Sequence, residues 1–202
     1  MIDSEYMRAA FRSPGWVDSF GVLQTALGLR LAVVDLSTGE TLCGGEPVAL
    51  CQDGRTPGVP CVARTEHEID RHDPAPVRAV CDDGLPILLQ PVHVDGEIAC
   101  HVMLYGYVGS AKERARILQL VMATGRPEPE ARAAIDELTV LDRVRVDAAG
   151  SLVASRVGQL LTEQHDQMRR VGRQLEVSLL ADVARDLGPD GLVYDRIPST
   201  SL

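Results

Sequence analysis

Apolar residues recur along this chain with two different periods, and the period changes near residue 110. Val17, Phe20, Leu23, Gln24 and Leu27 step at three and four, which predicts a helix over Trp16–Leu27 with Gly28 as its stop. Leu31–Leu36 is a short apolar run, Ser37–Glu40 its turn and Thr41–Gly44 the return, so 29–44 predicts a β-hairpin. Residues 46–61 carry Pro47, Gly54, Pro57, Gly58 and Pro60 and read as irregular. Val62–Arg71 reads as a short helix with a charged face, ended by His72–Pro76. Ile87–Val94 and Glu97–Val108 flank Asp95–Gly96, the pair a type I′ turn prefers, and predict antiparallel strands. Pro91 cannot donate to a ladder and belongs at an edge or bulge.

Beyond residue 111 the period becomes helical. Lys112–Thr124 is one helix, closed by Gly125 and Pro127, and Pro129–Asp147 reads as the next, with Ile135, Leu138, Leu141 and Val144 spaced at three. The pattern then runs from 148 to 187. Ala154, Leu161, Met168 and Leu175 fall at heptad a, and Val157, Gln164, Val171 and Ser178 at d. That seam fits a dimerising coiled coil or a helix packed on its own domain. The organisation expected is a domain over 1–147, a long helix over 148–187 and a loose tail over 188–202. Strand pairs followed by helices make the fold class α+β, an antiparallel sheet backed by helices and followed by long C-terminal helices.

Composition narrows the function. The 202 residues are 45% hydrophobic but only 3% aromatic, and the net charge is −9. An acidic, ring-poor chain lacks the basic stripes and stacking platforms of a general nucleic-acid surface, so no nucleic-acid partner is expected. No apolar run approaches the roughly 20 residues of a membrane span, and the N-terminus has acids and no apolar h-region. The expectation is a cytoplasmic chain without a membrane partner, whose five cysteines are thiols or ligands rather than disulfides.

Enzyme templates fail on spacing. His67 and His72 are one residue too far apart for a zinc-protease helix, about 500° around the axis rather than the roughly 400° of i, i+4. Pro60–Cys61 lacks the second Cys of a deaminase, because Arg64 stands there. There is no phosphate loop, dinucleotide fingerprint or nucleophile elbow in the sequence, and a non-catalytic protein is expected. Of the cysteines, Cys43 and Cys100 sit inside expected strands and read as small buried hydrophobes. Cys51, Cys61 and Cys81 lie at loop edges or before a turn, where three thiols could hold a metal, although no CxxC pair is present.

The order of these features resembles the PocR-type sensory domain, a bacterial ligand-sensing module. The resemblance runs over about residues 10–165. It is carried by Trp16-Val17-Asp18-Ser19-Phe20, Ala26-Leu27-Gly28, Val33-Val34-Asp35 with Gly39, Cys51 with Arg55, Gly58 before Cys61, Cys81 before Gly84-Leu85, Pro91–Glu97 and Gly106-Tyr107-Val108. Two positions depart from the family pattern. Leu50 stands where relatives carry an aromatic, and Asp82 where they carry His. The resemblance implies a PAS/GAF-like fold with a pocket on one sheet face for a small organic molecule such as a short diol, and the C-terminal helices as the signalling end. That pocket would lie between the sheet and loop 46–61, with Arg55, His101 and Tyr105 as polar candidates.

Three functional expectations follow. The first is a sensor or adaptor that binds a small organic ligand and acts through the C-terminal helices as a homodimer or with a protein partner. The second is a metal or redox sensor, holding zinc or an iron–sulfur cluster through Cys51, Cys61 and Cys81. The third is a structural interaction subunit with a degenerate pocket.

Overall fold

The computed structural model describes residues 4–46, 48–51, 74–80, 84–123 and 125–187. Two short helices come first, α1 (Ser4–Phe11) and α2 (Pro14–Leu27). Strands β1 (Arg30–Asp35) and β2 (Glu40–Gly44) follow, then a 3-10 turn at Ala49–Cys51. Next come β3 (Val77–Val80), β4 (Pro86–Val94), β5 (Glu97–Tyr105) and β6 (Tyr107–Val108). Helices α3 (Ala111–Ala123) and α4 (Glu128–Asp136), strand β7 (Thr139–Val140) and helix α5 (Arg143–Leu187) complete the order.

Five strands form one antiparallel sheet in the order β2-β1-β5-β4-β3, so β5 lies at its centre. The fold is α+β, the helix-backed antiparallel sheet expected of a PAS/GAF-like domain, with a long C-terminal helix. One sheet face packs Leu31, Val33, Leu88, Val92, Val102 and Leu104 against α1, α2 and the first part of α5. The other packs Ala32, Val34, Leu89 and Met103 against Val48 and Leu50, Ile117 of α3, and Ala134 and Ile135 of α4.

Local chemistry explains the element ends. Gly28 closes α2 in the left-handed region, φ 62°, where its N–H meets the Gln24 and Thr25 carbonyls. Asp95 and Gly96 both take positive φ, as a type I′ hairpin requires. Pro91 sits two residues past Leu89, the last β4 residue paired with β3, and next to a register shift at Val92/His93. Edge and bulge therefore coincide at the residue that cannot donate.

Two expectations are corrected. The strand expected over Glu97–Val108 breaks at Gly106, φ 73°, where a β-carbon would lie 3.0 Å from Arg30 Cγ. The helix expected over Pro129–Asp147 ends at Asp136. Thr139 and Val140 instead pair in parallel with Tyr107 and Val108; Thr139 N–H donates to the Gly106 carbonyl and Leu141 N–H to that of Val108. Asp142 then starts α5 by accepting from Arg145 N–H through its carboxylate at 2.9 Å. Two elements, α1 and β3, were not anticipated. The expected helix over Val62–Arg71 and the tail over 188–202 lie outside the described residues.

The chain divides into two units, Met1–Thr162 and Glu163–Leu202. Helix α5 supplies Val146, Ala149, Val153, Ala154, Val157 and Leu161 to the core of the first unit. The heptad positions 154, 157 and 161 are therefore used for packing within the domain. In the second unit Met168, Val171 and Leu175 are exposed. Among the described residues no helix is long and apolar enough to cross a membrane.

Candidate functional site

Alternation along β5 sorts its side chains. Cys100, Val102 and Leu104 face α1, α2 and α5, while Met103 and Tyr105 face the α3/α4 side. His101 shares that second side by the two-residue period. Both faces are covered, so the useful distinction is what each carries. The α5 face holds the larger apolar core; the other carries the buried imidazole of His101, with the buried Asp35 carboxylate close enough to act on it.

His101 is 3% exposed and pairs across the sheet with Val34 of β1 and Pro91 of β4. One register step away, Met103 pairs with Ala32 and Leu89, all three buried. Burial disfavours the imidazolium, and the His93 charge opposes it further, while Asp35 opposes the drop; His101 is lowered to about 4. At neutral pH it is an uncharged ring, one nitrogen donating and one accepting. A single donor–acceptor group in an apolar surface suits orientation of a small polar-headed molecule.

Tyr105 lies four residues along the same strand, about 13 Å away at strand rise. Its hydroxyl donates to the Glu46 carbonyl at 2.7 Å. That bond ties down the segment that brings Val48 and Leu50 onto the sheet face, both of them buried. The Arg126 guanidinium reaches the Ala49 carbonyl at 3.4 Å from the other side. So the described start of loop 46–61 does lie over the face bearing His101. Leu50 is part of this apolar cover. Tyr105 thus fastens the cover, and His101 stands two pairs further along.

Arg55, Cys61 and Cys81 lie outside the described residues, as does the side chain of Cys51. No group of three or more His, Cys, Asp or Glu able to hold a metal occurs among the described residues. Cys43 is half-buried and Cys100 buried, both free, and burial pushes both thiols up, which makes them poor nucleophiles at neutral pH.

Two surface grooves lie elsewhere. One of about 330 Å³ is lined by Gln90, Pro91, His93, Ser155, Gly158 and Thr162, among others, beside the end of β4 that β3 does not reach. Another of about 410 Å³ is lined by Gln24, Gly28, Arg30, Glu46, Gly106 and Glu137, among others. Neither includes His101 or Tyr105. Sequence reasoning missed the neighbours that give His101 its setting, Val34, Leu89 and Met103. Hydrophobicity alone marks them as core, and only the strand register shows which of them stand beside the imidazole.

No family model, curated protein or solved structure matches this chain. What the site can do follows from its own geometry.

Proposed function

We propose that this chain is a non-catalytic, PocR-like sensor that binds a small organic molecule against the His101 face of its sheet and responds through α5. The observation that carries the reading is the neutral imidazole of His101, buried beside Ala32, Val34, Leu89 and Met103, which are all buried. A neutral imidazole both donates and accepts, so a ligand hydroxyl or carbonyl would be oriented by hydrogen-bonding to it. In this reading the segment held by Tyr105 and carrying Leu50 is the part of the cover that opens to admit the ligand. Response follows if ligand binding favours one arrangement of α5 over another.

The test is a thermal-shift screen of the whole chain against short alcohols, diols and carboxylic acids. A binder should raise the melting temperature of the native chain and leave His101→Leu unmoved. If no ligand class shifts the native chain, or if a hit shifts His101→Leu equally, the sensor reading at this face fails.

A further inference from the structure

We infer that the exposed part of α5 is a self-association seam, on which two copies of this chain pair as parallel, in-register helices. This deepens the sensor reading by naming the partner of α5, although association is measured without any ligand. Leu161, at heptad a, is 1% exposed, but the next a residues, Met168 and Leu175, are 61% and 67% exposed, and Val171 at d is 48% exposed. These side chains continue the stripe that Ala154, Val157 and Leu161 present to the core.

Charge placement selects the partner. Between Val157 and Ala181 the charged side chains are Glu163, Asp166, Arg169, Arg170, Arg173 and Glu176, and all fall at b, c or f. The flanking e and g positions hold Gly158, Leu160, His165, Gln167, Gly172, Gln174, Leu179 and Ala181, without an acid, Lys or Arg. A seam meant for a different chain usually displays e and g charges that select that partner. With no acid, Lys or Arg at a, d, e or g before Asp182, a helix meets its own copy without setting such charges against each other.

Register selects the orientation. In a parallel pair Gln164 meets Gln164, then Met168, Val171 and Leu175 each meet themselves, and Ser178 meets Ser178. Three apolar layers lie between two polar ones, and the seam ends where Asp182 would face an identical carboxylate. The antiparallel register that sets Val171 against Leu175 places Met168 on Ser178 and Gln164 on Asp182. Self-matching layers waste less apolar surface, and a polar pair in the seam fixes register.

Sedimentation equilibrium of the whole chain tests this. The native chain should be a dimer at about 100 µM, far above a micromolar dissociation constant. Val171→Glu should weaken association by about 100-fold or more, because a charge enters the seam. The single tryptophan, Trp16, is packed in the first unit, and its fluorescence should stay unchanged, showing that the domain is folded. An equimolar mixture of Val171→Glu and Val171→Lys chains should recover the dimer, since residue 171 faces itself. A monomeric native chain, or a Val171→Glu chain as dimeric as the native one, overturns the seam. Recovery by Val171→Glu with Leu175→Lys, but not with Val171→Lys, overturns the parallel orientation.

Discussion

The two faces of the central sheet solve the same packing problem with different materials. On the α5 side the only Trp and both Phe residues gather: Phe11 meets Trp16 edge-on at 4.6 Å between ring centres, and Trp16 stacks on Phe20 at 6.0 Å. That side is closed by aromatic mass and by the close approach of α5. The other side is closed by Val48, Leu50, Ile117 of α3 and Ala134 and Ile135 of α4, and it keeps a buried histidine. One face is built to stay shut. The other has a cover fastened by identifiable hydrogen bonds, and the binding proposed there requires that cover to be the less stable of the two.

The largest effect should come from breaking the aromatic side. Phe20 is buried and packs so tightly that a β-carbon on Gly44 would lie 2.8 Å from its ring. Phe20→Ala should cost about 3–5 kcal/mol of unfolding free energy, read by urea titration with Trp16 fluorescence. A loss below about 1 kcal/mol would mean that this side is not the rigid one. Ligand response should persist in whatever fraction remains folded, because the deletion does not touch the His101 face.

The second prediction concerns the other side and is set by pH. His101 is lowered from 6.5 to about 4 by burial and by His93. The folded value lies below the unfolded one, so the contribution is complete above pH 6.5, where both states hold a neutral ring. As pH falls from 6.5 towards 4 the unfolded chain takes up a proton that the folded chain refuses, and stability drops. The whole shift corresponds to about 3 kcal/mol. Urea midpoints at pH 7, 5.5 and 4.5 should show this slope, and His101→Gln should flatten it. An unchanged slope in that variant would place the acid sensitivity elsewhere.

These two sides were not equally legible in the sequence. The α2 helix, both hairpins and the Asp95–Gly96 turn were readable because local period and turn chemistry agree with the tertiary fold. Helix α1 escaped notice because two turns give too little period to count, and β3 because Val77-Arg78-Ala79-Val80 is short and half-exposed. The break after Asp136 was illegible for another reason. Thr139 and Val140 leave the helical path to pair with β6, a partner about 30 residues away that no local pattern announces. For the site, alternation placed His101 and Tyr105 on one side of β5. That the Tyr105 hydroxyl fastens residue 46, rather than facing a ligand, is tertiary information. Leu161 and Leu175 share a heptad position, yet only the packing shows that one is core and the other exposed.

A third effect, of intermediate size, tests how closely α5 lies on its side of the sheet. A β-carbon on Gly158 would approach the His93 carbonyl oxygen to 3.0 Å, a backbone atom that cannot swing away. Gly158→Leu should therefore push helix from strand and cost roughly 1–3 kcal/mol, despite the better helix propensity of Leu. Gly172, in the same helix, has nothing within 4 Å of its would-be β-carbon. There Gly172→Ala should raise helix stability by about 0.5–1 kcal/mol. Thermal unfolding followed by circular dichroism reads both; equal signs for the two substitutions would show that α5 is not in close contact at Gly158.

The smallest effect is the most specific to the His101 side. Tyr105→Phe removes one hydroxyl and keeps the ring, so packing over Met103 and Leu50 is preserved while the bond to the Glu46 carbonyl is lost. One exchangeable hydrogen bond at a partly exposed group contributes about 0.5–1.5 kcal/mol, which is a small shift in global unfolding. The local consequence should be larger in proportion, because the segment over the His101 face loses a fastening that Arg126 at Ala49 only partly replaces. Amide hydrogen exchange should therefore speed up at residues 48–50 by about tenfold for each 1.4 kcal/mol lost, while Phe20 and Trp16 in α2 keep their native protection. Exchange that rises equally on both sides would mean that the two covers open as one cooperative unit, and the contrast between a shut face and an opening one would be lost.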